Sequence, residues 1–203
     1  MTPDTNNAPD FQHRLFEQMW PSEFRFFQLA FVVDDLFASA RRWAEVFGVG
    51  PFHVMKRNVQ SAVHRGLPTG LDVHLAVAQA GPVQIELIEQ KCDSPSHYRD
   101  VYPHGSGGVH HLGTVVKDYE GAKAHYERMG CPVTAELTGS AMRVAYFDFR
   151  AEFGLMIEVI EDQPEFMAAL KRISDNCANW DGTDPLRILT RDGYRVAVPE
   201  AVA

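Results

Sequence analysis

Four polar side chains stand in strand-like segments where apolar residues are expected: Gln28, Glu86, His111 and Glu158. Side chains alternate along a strand, so Glu86 in VQIELIEQ, residues 83–90, lies on one face while Ile85 lies on the other. One imidazole, two carboxylates and one amide oxygen suit a borderline divalent cation, with Zn favoured and Co, Ni, Mn or Fe as alternatives. A bound cation would also offset the cost of burying two carboxylates. Taken singly, each residue has an ordinary alternative, a glutamate that faces water or a hydrogen-bonded structural histidine.

An internal repeat relates these four positions. The segment QLAFVVDDLFASARRWAEVFG from Gln28 matches HLGTVVKDYEGAKAHYERMG from His111. Each begins as an apolar strand, continues through an aspartate suited to cap a helix (Asp35, Asp118) and ends as an amphipathic helix. The spacing therefore predicts a strand followed by a helix, twice.

The two acids repeat as well. VQIELIEQ matches LMIEVIED, residues 155–162, so that Glu86 corresponds to Glu158. Further strand-like segments lie between helix and acid in each half, which makes each half a βαβββ unit. If the two units pair about a pseudo-twofold axis, equivalent faces meet and the four polar side chains converge in a cavity.

The repeat divides the chain into five parts. They are a loosely held N-terminal tail at 1–25, a first βαβββ module at 26–90, a Gly/Ser/Pro-bearing linker at 91–108, a second module at 109–162 and a C-terminal extension at 163–203. The extension contains a helical stripe that begins near Pro164, and then a hairpin with its turn at Asp192-Gly193. The predicted fold class is α+β, with two tandem modules and a helical and hairpin extension.

Composition excludes several classes of protein. The formal net charge of −8 disfavours nonspecific binding to nucleic acid, and no apolar run approaches the roughly 20 residues of a membrane span. The start of the chain has no secretion-signal pattern, so we expect a cytoplasmic protein. The three cysteines, Cys92, Cys131 and Cys177, have no CxxC spacing, which indicates neither a disulfide framework nor a thiolate zinc site.

These motifs resemble a known family. The repeated modules, the openings QLAFVVDDL and HHLGTVVKD, and the closing IELIE and MIEVIE are similar to the vicinal oxygen chelate superfamily, over about residues 26–162. Within it, WAEVFGVGPF and the linker look similar to the glyoxalase-like group near methylmalonyl-CoA epimerase and glyoxalase I. The resemblance puts the metal ligands at Gln28, Glu86, His111 and Glu158, the set that alternation selects. The order Gln, Glu, His, Glu is similar to the ligand order of animal-type glyoxalase I. The epimerase pattern differs from it at both first-module positions, Gln28 and Glu86.

The resemblance implies a chemistry in which a cation binds vicinal oxygens of a small carbonyl substrate and stabilises an enolate while a carboxylate removes the adjacent proton. Isomerisation, epimerisation and lyase reactions share this step. We assign Glu158 as the acid/base group that leaves the cation and Glu86 as a second base, with Gln28 and His111 as fixed ligands. The alternatives are a metal-free protein that sequesters a small molecule and, less favoured, an extradiol dioxygenase. A homodimer is expected by analogy.

Other residues carry weaker predictions. Alternation places His110 opposite His111, in a structural or exposed role. The turn register could direct His74 to either face, and a second-sphere or substrate contact is the less favoured of the two alternatives. The remaining histidines, His13, His53, His64, His97, His104 and His125, are expected on the surface or in loops. Four apolar residues are candidates for lining the cavity, with core packing as the commoner explanation: Phe52, Val54, Phe147 and Phe149.

Overall fold

The fold is built around one long mixed sheet. The computed structural model describes residues 26–57, 59–140 and 142–201, so the predicted tail at 1–25 lies outside the described residues. The strands are β1 (Phe26–Val32), β2 (Phe52–Lys56), β3 (Ser61–His64), β4 (Leu67–Pro68), β5 (Val73–Ala80), β6 (Val83–Gln90), β7 (Gly108–Val116), β8 (Val133–Thr138), β9 (Arg143–Phe149), β10 (Leu155–Glu161), β11 (Leu186–Thr190) and β12 (Gly193–Val196). The helices are α1 (Leu36–Phe47), α2 (Tyr119–Arg128), the short α3 (Arg150–Phe153) and α4 (Pro164–Ala178).

The order of the strands shows the two modules. The sheet runs β12-β11-β2-β5-β6-β1-β7-β10-β9-β8-β3-β4. The first module contributes β2-β5-β6-β1, the second contributes the mirrored order β7-β10-β9-β8, and β1 pairs antiparallel with β7 at the centre. In each module the first strand is parallel to the last, β1 to β6 and β7 to β10. The predicted α+β class with two tandem βαβββ modules is confirmed, and the modules pair within the chain.

The helices begin and end where their capping residues predict. The Asp35 carboxylate accepts a hydrogen bond from the Ala38 backbone N–H, and the Asp118 carboxylate accepts one from Gly121, so each satisfies a donor that the first helical turn leaves open. The α1 helix ends at Gly48, whose φ of 64° is the left-handed conformation that glycine adopts without strain.

The two faces of the sheet carry different cores. On one face α1 packs with Leu36 and Ala40 against Leu87 of β6, and α2 packs with Tyr126 against Val159 of β10. We call the face that α1 and α2 cover the helix-covered face. The predicted cavity-lining residues belong to it, which supports the packing explanation: Phe52, Val54, Phe147 and Phe149.

The C-terminal extension covers the opposite face. Helix α4 buries Leu170 against apolar residues of the second module and Ile173 against those of the first. The predicted hairpin is present as β11 and β12, and β11 joins the sheet beside β2. The segment between β2 and β5 forms a hairpin, β3 and β4, that the sequence pattern did not predict. Its strand β3 pairs with β8 of the second module. In the part of the chain that the structure describes, no helix combines the length and apolar composition that crossing a membrane requires.

Candidate metal centre

The four predicted polar residues lie together on the four central strands, on the face covered by α4. Gln28 lies on β1, Glu86 on β6, His111 on β7 and Glu158 on β10. Strand pairing brings them together, because Gln28 and Glu158 both lie opposite Gly113, and Glu86 and His111 both lie opposite Ala30. None of the four is more than 5% exposed.

Three of the four offer ligand atoms that lie within 4.8 Å of one another: Glu86, His111 and Glu158. His111 Nε2 is 3.2 Å from Glu158 Oε2 and 3.4 Å from Glu86 Oε2. Among residues 26–57, 59–140 and 142–201, His111 Nε2 and Glu86 Oε2 nevertheless have no partner with hydrogen-bond geometry. One oxygen of Glu86 and one nitrogen of His111 are thus held close together inside the protein, and neither is satisfied by a hydrogen bond to a described residue.

The amide of Gln28 faces the same space. Its Nε2 donates a hydrogen bond of 2.8 Å to Gln84 Oε1, which fixes the amide orientation. The Gln28 Oε1 atom is buried and has no partner among the residues that the structure describes. A Cβ on Gly113 would lie 2.7 Å from Gln28 Oε1 and 3.2 Å from Glu158 Oε2. The absence of a side chain at Gly113 therefore makes room for both oxygens.

These orphaned atoms fit a divalent cation. A buried polar atom without a partner is costly, and native proteins rarely leave several of them adjacent. One bound cation would give Gln28 Oε1, Glu86 Oε2 and His111 Nε2 a common partner, and a set of oxygens and one imidazole suits Zn and its neighbours. The donor set fits, while the role of each residue as a ligand stays a prediction.

A second histidine determines which nitrogen His111 presents. His110 Nε2 lies 3.1 Å from the carbonyl oxygen of His97, which can only accept, so this nitrogen carries a proton. Burial and the neighbouring His111 lower the pKa of His110 to about 3, so its ring is neutral and its Nδ1 accepts. That acceptor lies 2.9 Å from His111 Nδ1, which must donate, and His111 Nε2 is left facing the carboxylates.

The position of His110 differs from the prediction by alternation. The β1–β7 pairing shifts register between Ala30 and Phe31, so that His111 lies opposite Ala30 and Val109 lies opposite Phe31. His110 is the extra residue of this irregularity, and it is fully buried. A bulge of this kind redirects a side chain that strict alternation would send to the other face.

The charges of the site are strongly coupled. Burial alone would lower the pKa of His111, but the Glu158 and Glu86 carboxylates together outweigh it and raise this pKa to about 9. Burial would raise the pKa of Glu158, but His111 and Arg57 outweigh it and lower this pKa to about 2. Both groups are therefore charged at neutral pH when no cation is bound.

Sequence reasoning missed three further residues. Arg57, which follows β2, is buried and its Nη2 lies 3.2 Å from Glu158 Oε1. Its Nη1 donates to the hydroxyls of Tyr98 (2.9 Å) and Tyr146 (3.0 Å). Alternation could have found Tyr146, because it lies between two residues that face the helices. Arg57 and Tyr98 come from irregular segments, where no periodicity indicates their direction.

Of the other described histidines, only His97 lies beside a residue of the site. The expected surface or loop role is wrong for His53 and His64, which are buried in strands. His97 lies in the linker as expected, but it is buried and its ring packs 3.9 Å, centroid to centroid, from that of Tyr146. His74 pairs with Glu89 rather than with Glu86, which places it on the helix-covered face and away from the site. His13 lies outside the described residues.

Comparisons with known proteins give the following matches. The sequence model of the Glyoxalase/Bleomycin resistance protein/Dioxygenase superfamily matches residues 27–146, more than half of the chain. A methylmalonyl-CoA epimerase structure from Mycobacterium tuberculosis is similar at 18% identity, 70% of this chain, 89% of that chain and a TM-score of 0.46. A methylmalonyl-CoA epimerase in complex with methylmalonyl-CoA and NH4+ is 16% identical, with 68% of this chain and 94% of that chain covered and a TM-score of 0.48. A variant of 4-hydroxymandelate synthase from Streptomyces coelicolor is 13% identical, with 70% of this chain and 52% of that chain covered and a TM-score of 0.46. No curated protein sequence gave a significant match.

Proposed function

The chain belongs to the Glyoxalase/Bleomycin resistance protein/Dioxygenase superfamily, and from this premise we propose that it is a metal-dependent enzyme acting on a small carbonyl substrate with vicinal oxygens. The proposed reaction class is proton transfer next to the carbonyl, in isomerisation, epimerisation or lyase chemistry. One observation supports the proposal: within the part of the chain that the structure describes, three buried atoms on the same face of the sheet lack hydrogen-bond partners, namely Gln28 Oε1, Glu86 Oε2 and His111 Nε2.

The proposed ligands are Gln28, Glu86, His111 and Glu158, with Zn as the favoured cation and Co, Ni, Mn or Fe as alternatives. A bound divalent cation would supply stabilisation of the negative charge that develops on the substrate oxygens. The protein itself supplies two carboxylates that can take a proton, a dry environment that strengthens every charge interaction, and fixed side-chain positions. All four proposed ligands belong to one chain, and the expected homodimer stays a prediction.

A second candidate is a metal-free binding protein, and a specific observation favours it. Protonated His111 and Arg57 lie beside Glu158, and Glu86 lies beside His111, so two positive charges balance two negative charges without a cation. A site that is electrically neutral without metal could hold a small molecule without performing chemistry. Ring cleavage by ferrous iron is less favoured, because the usual triad of two histidines and one carboxylate has only His111 as an imidazole here.

Metal analysis combined with a proton-exchange assay tests the proposal. Protein purified without chelator is analysed for metal, stripped, and reloaded with Zn2+ or Co2+. Carbon-bound protons of hydroxyacetone and of methylmalonyl-CoA are then followed by NMR in D2O, with catechol and oxygen uptake as the comparison reaction. We expect about one cation per chain and a deuterium exchange that is lost on stripping and restored on reloading. Failure to reload, with unchanged binding of small molecules, would favour the metal-free candidate.

A further inference from the structure

The two carboxylates at repeat-equivalent positions have different surroundings, and this difference separates their roles. We propose that Glu86 is the base that takes the proton, and that Arg57 and Tyr146 are positioning residues that hold Glu158 as a fixed ligand. The proposal rests on the proposed metal-dependent function and deepens it. It reverses the assignment made from sequence, in which Glu158 leaves the cation.

Two donors hold one oxygen of Glu158. The Tyr146 hydroxyl donates to Glu158 Oε1 at 2.5 Å, and Arg57 Nη2 donates to the same oxygen at 3.2 Å. The other oxygen, Oε2, lies on the side of His111 and Gly113. Glu158 therefore presents a single oxygen to the candidate cation position while its second oxygen is occupied.

The donors are themselves held in place. Arg57 Nη1 donates to the Tyr98 and Tyr146 hydroxyls, and the Arg57 backbone N–H donates to the Val73 carbonyl at 2.8 Å. Arg57 is 8% exposed, and both tyrosines are fully buried. Arg57 belongs to the first module and Glu158 to the second, so the contact also crosses the central β1–β7 junction. Such a network leaves Glu158 little freedom to rotate.

Glu86 has no such support. In the second module Glu158 lies opposite Tyr146, whereas in the first module Glu86 lies opposite Val77. Valine has no donor to offer, so the repeat places an apolar side chain where Glu158 finds a hydroxyl. No described residue gives Glu86 Oε2 a hydrogen bond, and its contact with His111 Nε2 at 3.4 Å lacks hydrogen-bond geometry. Glu86 can therefore move without breaking a hydrogen bond at this oxygen.

This asymmetry decides the roles because a base must change its partner during the reaction. The substrate C–H bond breaks, its proton passes to a Glu86 oxygen, and its electron pair forms the C=C bond of the enolate while the carbonyl pair moves onto oxygen. Return of the proton from Glu86 to the same carbon restores the substrate. Isomerisation is completed when the C=C pair takes the proton at the former carbonyl carbon, while the neighbouring hydroxyl becomes the new carbonyl and its proton passes to the enolate oxygen. The same movement by Glu158 would break two charge-assisted hydrogen bonds in a buried site.

A double-mutant cycle tests whether Tyr146 acts through Glu158. Co2+ affinity is measured by visible absorption for wild type, Y146F, E158Q, E86Q and the two double variants. We expect Y146F to weaken Co2+ binding about tenfold in wild type and in the E86Q background, and less than about twofold in the E158Q background. Y119F is the matched control, because Tyr119 donates a comparable hydrogen bond to Glu136 on the helix-covered face. R57K, which keeps the charge and loses the second donor arm, should lie between wild type and Y146F.

Deuterium exchange tests which carboxylate is the base. The compound that exchanges with wild type is assayed with E86Q and E158Q, each saturated with Co2+. We expect E86Q to lose about 100-fold or more of the exchange rate and E86D to recover part of it. E158Q should lose about tenfold, because it alters a ligand but keeps the base.

Each failure has its own signature. If wild type neither binds Co2+ nor exchanges any proton, the proposed function fails and this assignment falls with it. If wild type binds Co2+ and exchanges protons, but E158Q loses more exchange than E86Q, the assignment alone is overturned. A Y146F effect of equal size in the E158Q background would overturn the positioning role.

Discussion

His111 shows how one buried residue depends on its neighbours in the chain. Its Nδ1 is engaged by His110, whose other nitrogen is engaged by the His97 carbonyl, so a backbone group determines which lone pair faces the carboxylates. Ligand histidines in metal sites are commonly oriented in this way, by a partner on the nitrogen that does not touch the metal.

Replacement of His110 should therefore weaken cation binding. In H110F the Nδ1 acceptor is lost, and we expect Co2+ affinity to fall about 10-fold to 100-fold, as is typical when a second-sphere partner is removed. Co2+ titration measures this, with the exposed His104 changed to Gln as the control. Wild-type affinity in H110F would contradict the orienting role.

Gly113 gives a second prediction at this scale. A Cβ in G113A would lie 2.7 Å from Gln28 Oε1, so Gln28 or the backbone must shift. We expect a loss of at least about tenfold in Co2+ affinity, because small displacements of supporting groups impair a preorganised site. G70A is the matched control, since its Cβ would meet only Ser94 Oγ at 3.7 Å. Equal Co2+ affinity in G113A and wild type would show that Gly113 is not needed for the site.

At the scale of elements, helix α4 connects the two modules on the face that carries the site. Leu170 packs on the second module and Ile173 on the first, three residues apart on one helical face. The extension is thus part of the core of the site face, and it helps to keep the four polar residues away from water.

Truncation of Ile173 should be costly. The side chain is 4% exposed and packs among residues of β1, β5 and β6, so we expect I173A to lower the free energy of unfolding by about 2–5 kcal/mol. Urea unfolding followed by circular dichroism measures the change. E165A, at an exposed position of the same helix, should change it by less than about 0.5 kcal/mol. Comparable losses in the two variants would mean that the α4 contact with the sheet contributes little.

At the scale of the whole molecule, buried histidines make stability depend on pH. His53 lies on β2, with Nδ1 3.2 Å from the Val77 carbonyl and Nε2 3.2 Å from Asn176 Nδ2 of α4. Burial lowers the pKa of His53 to about 4, while the Val77 carbonyl partly opposes this shift. In the folded protein the His53 ring therefore stays neutral down to about pH 4. In the unfolded chain the same ring takes up a proton with a pKa of about 6.5.

Stability should therefore fall as the pH decreases below about 6.5. This contribution amounts to roughly 1.4 kcal/mol for each pH unit and levels off near pH 4, where folded His53 also protonates. Urea unfolding between pH 4 and pH 8 measures it, and H53Q should show a shallower decline than wild type. Parallel pH profiles for wild type and H53Q would contradict the assignment to His53.

The sequence by itself determined the modules and the direction of most of the candidate site. Alternation along VQIELIEQ and LMIEVIED placed Glu86 and Glu158 on the face opposite the apolar residues that contact α1 and α2. A capping aspartate and a terminal glycine located α1. These features are local, because strand and helix periods repeat over a few residues and need no distant partner.

Only the tertiary structure decided what surrounds those residues. The pairing of β1 with β7 brought the modules together, the irregularity at His110 turned that ring beside His111, and the β3–β4 hairpin joined the other module. Arg57 lies 101 positions before the carboxylate it contacts. No period in the sequence encodes such a contact, because it depends on which surfaces meet once the whole sheet has formed.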